Sequence, residues 1–208
     1  MLIIGAGGLA KEILEVCHRN DLLTDLAFYD DVNPDKLHLL GFPVLKTEVA
    51  AQEYFSETDN RFCLGIGNPK LRAAMVDKFQ SLGGQLHSVV SKHADMGTYG
   101  VSIGIGNTIL GDALISNSVS IGKAGLIYYK TVVAHDVYID DFVELSPGAT
   151  LLGGCKVGTF SQIGANATIL PKVTIGSHVV VGAGAVVNRD LPDNCIAVGV
   201  PARIIKEN

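Results

Sequence analysis

The sequence has 208 residues, of which 48% are hydrophobic and 18% charged, a composition typical of a folded protein with one large or two small domains. The net charge of −5 argues against a broad basic surface for nucleic acid, and no apolar run is long enough to span a bilayer. The sequence shows no charged-then-apolar leader. Its four cysteines have no paired spacing, which favours a reducing, cytoplasmic location; they are Cys17, Cys63, Cys155 and Cys195.

The first elements form a strand–turn–helix–strand unit. They are a buried strand over Met1–Gly5, a glycine-rich turn over Gly5–Gly8, a helix over about Ala10–Arg19, and a strand over Leu26–Tyr29 that ends in Asp30–Asp31. Such a turn lets backbone N–H groups and the helix dipole meet a phosphate, and an acid after the next strand suits a ribose hydroxyl. By itself the motif fits a plain tight turn about as well.

The next elements complete a small α/β domain. A strand over Arg61–Gly67 leads into a helix over Pro69–Leu82, and a last strand covers Gln85–Val90. This order predicts a short parallel sheet in a Rossmann-like domain over residues 1–90. The domain lacks the second half of a full dinucleotide fold, so a single nucleotide moiety is the better fit.

The second half of the chain is a six-residue repeat. Fifteen positions spaced by six are all aliphatic, from Ile103 to Val187: Ile103, Ile109, Ile115, Ile121, Ile127, Val133, Ile139, Leu145, Leu151, Val157, Ile163, Ile169, Ile175, Val181 and Val187. Small or β-branched residues lie two positions before them, and glycine often follows directly. This pattern fits neither a helix nor an alternating strand, but it fits a solenoid of short strands and turns.

The repeat predicts a β-helix of regular triangular coils. Three hexads make one coil, so fifteen hexads give five coils. The aliphatic residues point inward, and glycine or asparagine follows where the chain bends. Because the phase never slips, no large loop is expected between Ile103 and Val187.

The strings GAGGLAKE, FYDD, IGN and GVPAR, together with the hexads, extend this interpretation to nearly the whole chain. In this combination the sequence resembles the hexapeptide-repeat sialic acid O-acetyltransferases and UDP-amino-sugar N-acetyltransferases, the NeuD/PglD type. The resemblance implies a left-handed parallel β-helix over residues 91–208 and a homotrimer with active sites between subunits. It also implies that the first domain binds a nucleotide-linked amino sugar and that the β-helix binds acetyl-CoA.

The same resemblance assigns binding residues. Those facing the nucleotide-linked sugar are Gly7, Gly8, Leu9, Asp30, Asp31, Gly67 and Asn68. Those facing acetyl-CoA are Glu144, Ala165 and Ala183. Many family members have histidine in place of Leu9, and Glu144 stands where the family usually has histidine.

His135 is the candidate general base. It lies two residues after the inward-pointing Val133, at a predicted corner, and Asp136 follows it. A lone turn histidine is more often solvated than catalytic, but the resemblance places the family's base here. Histidine, as a residue type with a reference pKa of roughly 6.5, suits removal of a proton near neutral pH. Asp136 is expected to fix the tautomer and stabilise the imidazolium, or else to be a polar turn residue.

Coil stacking predicts the neighbours of His135. Positions eighteen residues away on either side are Asn117 and Gly153. Gly153 has no side chain, so we expect an acyl group to approach it closely and its N–H to stabilise the thioester oxyanion. Shaping the turn is the alternative role of this glycine.

Together these features predict an acetyl-CoA-dependent N-acetyltransferase acting on a nucleotide-linked amino sugar, by direct attack and without a metal. Cys155 occupies an inward repeat position and is not expected to be a nucleophile. The alternatives are O-acetylation of sialic acid or a related sugar hydroxyl, a longer acyl donor, and a non-catalytic sugar-nucleotide scaffold. A β-helix carbonic anhydrase is disfavoured, because His135 is the only histidine between Ile103 and Thr174.

Overall fold

The computed structural model describes residues 1–207. The chain divides into two compact units, one over Met1–Lys92 and one that begins at His93, compared with the predicted boundary after residue 90. No helix in the described part of the chain combines the length and the apolar character that crossing a membrane demands.

The first unit is a mostly parallel sheet with helices. Its strands are Leu2–Ile4 (β1), Ala27–Tyr29 (β2), His38–Leu39 (β3), Phe42–Leu45 (β4), Arg61–Leu64 (β5), Gln85–Leu86 (β6) and Val89–Val90 (β7). Its helices are Gly8–Arg19 (α1), Glu48–Glu57 (α2) and Pro69–Ser81 (α3). The sheet order is β3-β4-β2-β1-β5-β6, and only the β3–β4 pair is antiparallel. The predicted parallel sheet is therefore present.

The helix ends follow from local chemistry. Helix α1 begins at Gly8, two residues before the predicted start, and buries an apolar stripe that includes Ile13, Leu14 and Cys17. Helix α3 starts with Pro69, and the Asn68 side chain accepts a hydrogen bond from the Leu71 N–H as its N-cap.

The sequence interpretation missed helix α2 and the β3–β4 hairpin. Helix α2 has an N-cap at Thr47, whose hydroxyl accepts a hydrogen bond from the Ala50 N–H. Only Ala51 and Phe55 of this helix are buried, so its apolar periodicity is weak. The predicted strand Gln85–Val90 is two short strands, separated at His87 and Ser88.

The second unit is the predicted left-handed parallel β-helix. Each aliphatic hexad residue is the second residue of a two-residue strand. The strands are Asp95–Met96 (β8), Ser102–Ile103 (β9), Thr108–Ile109 (β10), Leu114–Ile115 (β11), Ser120–Ile121 (β12), Leu126–Ile127 (β13), Val132–Val133 (β14), Tyr138–Ile139 (β15), Glu144–Leu145 (β16), Thr150–Leu151 (β17), Lys156–Val157 (β18), Gln162–Ile163 (β19), Thr168–Ile169 (β20), Thr174–Ile175 (β21), Val180–Val181 (β22) and Val186–Val187 (β23). Two longer strands, Cys195–Val198 (β24) and Arg203–Glu207 (β25), close the unit as an antiparallel pair.

Three sheets form the faces of the triangle, and their strands are parallel except for the final β24–β25 pair. The first carries β10, β13, β16, β19, β22, β24 and β25; the second carries β8, β11, β14, β17, β20 and β23; the third carries β9, β12, β15, β18 and β21. The pairs Ile115–Val133 and Val133–Leu151 show the eighteen-residue register. No large loop interrupts the coils between Ile103 and Val187, as expected.

The glycines that follow the aliphatic residues do not mark the bends of the chain, contrary to the expectation from the sequence. The left-handed residue lies three positions after the aliphatic residue, and it is often not glycine, as at Asp112, Asp136 and Phe142, with φ of 60°, 60° and 59°. The glycine directly after the aliphatic residue has another cause. A Cβ on Gly158 would lie 2.7 Å from the Gly176 carbonyl carbon, so close stacking of the next coil excludes a side chain there.

Candidate active site and nucleotide pocket

His135 and Asp136 form a hydrogen-bonded pair at the corner between β14 and β15. The His135 Nδ1 atom lies 2.8 Å from the Asp136 Oδ2 atom. The two side chains are 69% and 63% exposed. The left-handed backbone of Asp136 turns the chain at this point. When a carboxylate accepts the Nδ1 proton of a neutral imidazole, the Nε2 lone pair is free to take a proton from a substrate.

Gly153 supports the imidazole from the next coil. A Cβ on Gly153 would lie 2.6 Å from His135 Cε1 and 2.7 Å from Nε2, so the ring fills the space that a side chain would need. This corrects the expectation that an acyl group takes that space. The Gly153 N–H donates no hydrogen bond within residues 1–207.

Asn117 occupies the predicted position on the other side of His135. Its carbonyl oxygen accepts a hydrogen bond from the Asp136 N–H at 3.3 Å. Its side-chain oxygen accepts a hydrogen bond from the Tyr99 N–H at 3.1 Å. The Asn117 side chain is therefore held by the neighbouring coil and not by the imidazole.

Cys155 lies inside the coil and has no nucleophilic character. It is completely buried, and burial raises the pKa of its thiol to about 12. A thiol that stays protonated near neutral pH is a poor nucleophile. This supports a direct transfer in place of an acyl-cysteine route.

The residues predicted to face acetyl-CoA lie elsewhere on the triangle. Glu144 is on β16, where its carboxylate accepts hydrogen bonds from Ser146 Oγ at 3.2 Å and from Gln162 Nε2 at 2.9 Å. Ala165 and Ala183 occupy the corner between the first and second sheets, eighteen residues apart. His135 occupies the corner between the second and third sheets. One β-helix therefore does not bring the imidazole and these three positions together.

A cavity of about 400 Å³ lies at the carboxyl ends of the strands in the first unit. We call it the strand-end cavity, lined by Ile4, Gly5, Ala6, Gly7, Tyr29, Asp30, Asp31, Val32, Asn33, Gly65, Ile66, Leu71 and Met75. Strand β1 lies between β2 on one side and β5 on the other, so the order of the strands reverses at β1. Open α/β sheets bind ligands at such a topological switch point.

The cavity collects only some of the predicted substrate residues. It includes Gly7, Asp30 and Asp31, whereas Gly8, Leu9, Gly67 and Asn68 are not among the residues that line it. The Asn68 side chain caps α3, and the Gly67 carbonyl accepts a hydrogen bond from the buried Arg72 guanidinium. Sequence reasoning missed the apolar wall of Ile66, Leu71 and Met75, which no motif marks.

The glycines of the first turn have different causes. Gly5 has φ +105°, and a Cβ there would lie 2.8 Å from the Gly65 carbonyl oxygen, so the fold requires glycine. Gly7 and Gly8 have no positive φ, and a Cβ at either would meet no atom within 4 Å. The fold does not require glycine at Gly7 and Gly8, and their bare backbone is open to a ligand.

The two aspartates after β2 have different surroundings. Asp30 is only 8% exposed, and its oxygens accept hydrogen bonds from the Val32 N–H at 3.0 Å and from Asn33 Nδ2 at 2.9 Å. Burial alone raises the pKa of Asp30, but these hydrogen bonds and the Lys46 charge outweigh it, so the pKa lies below its ordinary value. Asp31 is exposed and accepts a hydrogen bond from the Tyr29 hydroxyl at 3.1 Å. Asp30 thus shapes the loop, while Asp31 lies at the exposed side of the cavity, where its carboxylate is also 3.5 Å from the Lys78 ammonium.

No group of three or more His, Cys, Asp or Glu side chains suited to hold a metal ion occurs within residues 1–207. The catalytic candidates His135 and Asp136 form a pair with each other.

Two family models match the sequence. The PglD N-terminal domain matches residues 1–79, and the bacterial transferase hexapeptide (six repeats) matches residues 154–189. A GDP-perosamine N-acetyltransferase of Escherichia coli O157:H7 is 29% identical over 203 residues, which cover 95% of this chain and 81% of that protein.

Solved structures match nearly the whole chain. PerB from Caulobacter crescentus in complex with CoA and GDP-perosamine is 32% identical with a TM-score of 0.91, over 99% of this chain and 96% of that one. The acetyltransferase domain of PglB from Neisseria gonorrhoeae FA1090 with acetyl coenzyme A is 29% identical with a TM-score of 0.89, over 98% of both chains.

Proposed function

The chain belongs to the hexapeptide-repeat acetyltransferases of the sialic acid O-acetyltransferase and UDP-amino-sugar N-acetyltransferase type, and we propose that His135 is its general base. The enzyme transfers the acetyl group of acetyl-CoA to an amino group on a nucleotide-linked sugar. The observation that carries the proposal for His135 is its 2.8 Å contact with Asp136 at an open corner.

The reaction is a direct acyl transfer. The sugar amine attacks the thioester carbon while His135 Nε2 accepts a proton from the nitrogen. The carbonyl oxygen becomes an oxyanion, which the unpaired Gly153 N–H stabilises. The C–S bond then breaks, and the leaving CoA sulfur takes the proton from the imidazolium. Asp136 holds the Nδ1 proton throughout and stabilises the positive ring.

The separation of the predicted sites on the triangle supports a homotrimer. His135 and the positions Glu144, Ala165 and Ala183 lie on different parts of one coil. A second copy that presents its own corner to His135 completes the site, as closed oligomers with heterologous contacts do.

The four cysteines are free and buried thiols, which suits a reducing compartment, and we assign the enzyme to the cytoplasm.

A thiol-release assay tests the substrate class. The full chain is supplied with acetyl-CoA and GDP-, UDP-, dTDP- or CMP-linked amino sugars, each paired with the hydroxyl analogue of the same sugar. We expect CoA release only with amino sugars, since an amine is the stronger nucleophile. Release with hydroxyl sugars alone would make the enzyme an O-acetyltransferase. Nucleotide binding without any CoA release would favour a non-catalytic scaffold.

A further inference from the structure

Lys78 connects three elements of the first unit beside the strand-end cavity. It lies on α3, and its ammonium is 2.9 Å from a carboxylate oxygen of Glu48, the first residue of α2. The same ammonium is 3.5 Å from Asp31 Oδ2, in the loop after β2. Lys78 is only 25% exposed, and it is not among the residues that line the cavity, whereas Asp31 is. Lys78 therefore reaches a ligand in the cavity through the residues that it holds.

A contact with Tyr29 strengthens this connection. The Lys78 ammonium is 5.4 Å from the centre of the Tyr29 ring, within the range of a cation–π interaction. Tyr29 is buried and lines the cavity, and its ring packs edge-on against Phe79 with the ring centres 4.8 Å apart. Burial alone lowers the pKa of Lys78, but the hydrogen bond to Glu48 and the nearby negative charges outweigh it, so the pKa lies above its ordinary value. Lys78 is therefore a cation at neutral pH.

The two carboxylate oxygens of Asp31 have different surroundings. The Oδ2 atom accepts a hydrogen bond from the Tyr29 hydroxyl at 3.1 Å and lies next to the Lys78 ammonium. The Oδ1 atom has no hydrogen-bond or ion-pair partner within residues 1–207. Because contacts at Oδ2 fix the orientation of the carboxylate, Oδ1 is an oriented acceptor for an N–H or O–H group of a ligand.

We propose that Lys78 is a positioning residue for the nucleotide-linked sugar: together with Tyr29, it orients Asp31 so that Oδ1 accepts a hydrogen bond from the nucleotide. Glu48 in turn fixes the ammonium. The inference rests on the proposed function, since it requires a nucleotide in the strand-end cavity. Because the Asp31 and Glu48 side chains are half-exposed, water weakens both ion pairs, and the effect on binding is modest.

Steady-state kinetics of the full chain with the best amino-sugar acceptor tests this role. Lys78→Met keeps the apolar stem and should raise the acceptor KM about fivefold. The kcat value and the KM for acetyl-CoA should stay within about twofold, because Lys78 acts on acceptor binding and not on the transfer step. Lys78→Arg keeps the cation and should restore the acceptor KM to within about twofold of the wild type. The matched control is Lys70→Met, which removes the same charge from an exposed position on α3 and should leave the acceptor KM unchanged.

A double-variant cycle separates positioning from a purely structural role. Asp31→Ala should itself raise the acceptor KM at least as much as Lys78→Met does. In the Asp31→Ala background, Lys78→Met should cause no more than about a twofold further rise, because the carboxylate that it orients is gone. A further rise of about fivefold would show that Lys78 acts independently of Asp31 and would overturn the inference.

Nucleotide analogues identify the group that Asp31 binds. Calorimetry compares the binding of GDP and UDP to the wild type and to Lys78→Met, and then the binding of the dideoxyribose forms of both diphosphates. If the dideoxyribose forms bind both proteins equally, the donors are ribose hydroxyls; a retained difference assigns the contact to a base N–H. If the wild type binds neither diphosphate and turns over no nucleotide-linked sugar, the proposed function fails first. Turnover with a wild-type acceptor KM in Lys78→Met would refute only the role of Lys78.

Discussion

The imidazole of His135 lies against the α-carbon of Gly153, so close that a Cβ on Gly153 would lie 2.6 Å from its Cε1 atom. The position of the proposed base therefore depends on a residue eighteen positions later, in the next coil. The regular stacking of the β-helix keeps the two residues in register, as the Gly154 N–H to His135 carbonyl hydrogen bond of 3.0 Å shows. Gly153 thus acts in part by leaving room for the ring.

Gly153→Ala tests this contact. The substitution keeps the amide N–H but displaces the exposed ring, so kcat should fall by roughly 10²-fold, within the range for a lost base. The melting temperature should change little, because the imidazole is free to rotate into solvent. In a His135→Ala background, Gly153→Ala should cause no more than about a twofold further loss. A full additional loss in the double variant would show that Gly153 acts independently of the ring.

Asp136→Asn tests the carboxylate beside the base. Asparagine tolerates the left-handed backbone at this corner, φ 60°, so the fold should be unchanged. We expect kcat to fall, by less than the roughly 10²–10⁴-fold of a lost base, because the tautomer and the imidazolium lose their ionic partner. Asp112→Asn is the matched control, since Asp112 has the same φ at another exposed corner. Equal kcat values for both variants would refute the role of Asp136.

Gly7→Ala should separate binding from stability. A Cβ at Gly7 meets no atom within 4 Å, so the stability cost should be at most about 1 kcal/mol, the size of a cap effect. The added methyl group enters the path of the ligand, and we expect the acceptor KM to rise about tenfold with kcat nearly unchanged. Gly5→Ala is the contrasting variant: its φ of +105° and its contact with Gly65 predict a clear drop in melting temperature. A wild-type acceptor KM for Gly7→Ala would show that the acceptor does not bind against this turn.

Asp30→Asn should make stability less dependent on pH. A carboxylate with a lowered pKa in the folded state stabilises the protein above its unfolded pKa of roughly 3.9, and this contribution is lost as the pH falls below that value. The wild type should therefore exceed Asp30→Asn by roughly 1 kcal/mol at neutral pH, and the difference should shrink below about pH 4. Urea unfolding of both proteins between pH 7 and pH 3 measures this difference in the free energy of unfolding, with Asp35→Asn, at an exposed position of the same loop, as the control. A pH-independent difference would contradict this account.

Asp30→Asn should also raise the acceptor KM more than it lowers kcat. Asp30 orders the loop that lines the strand-end cavity through Val32 and Asn33, so its loss affects the ground state and the transition state alike. Steady-state kinetics with the best acceptor gives both constants. A loss confined to kcat would place Asp30 in the chemical step.

The β-helix was predictable because a single rule repeats. Each coil buries an aliphatic residue every six positions, and the eighteen-residue register then placed Asn117 and Gly153 beside His135. The first strand of the β-helix, β8, was not predicted. Its second residue, Met96, lies seven residues before Ile103, so it does not fit the six-residue spacing. The reason for glycine directly after the aliphatic residue could not be predicted either, because it depends on how closely the next coil stacks at that position.

The small α/β unit was predictable in outline only. Short apolar runs predicted its parallel strands, and the glycine-rich turn and Pro69 marked the starts of two of its helices. Helix α2 has few buried residues, and the apolar wall at Leu71 and Met75 arises from how α3 packs beside β5. The use of the Asp30 oxygens within their own loop likewise depends on side-chain geometry that the sequence does not encode as a motif.

The most direct test of the central claim is the turnover of His135→Ala with acetyl-CoA and the best amino-sugar acceptor. We predict a loss in kcat of roughly 10²–10⁴-fold, with unchanged melting temperature, because the side chain is 69% exposed. His18→Ala, which removes another exposed histidine, should retain normal turnover. A His135→Ala enzyme that turns over within a few-fold of the wild type would contradict the assignment of His135 as the general base.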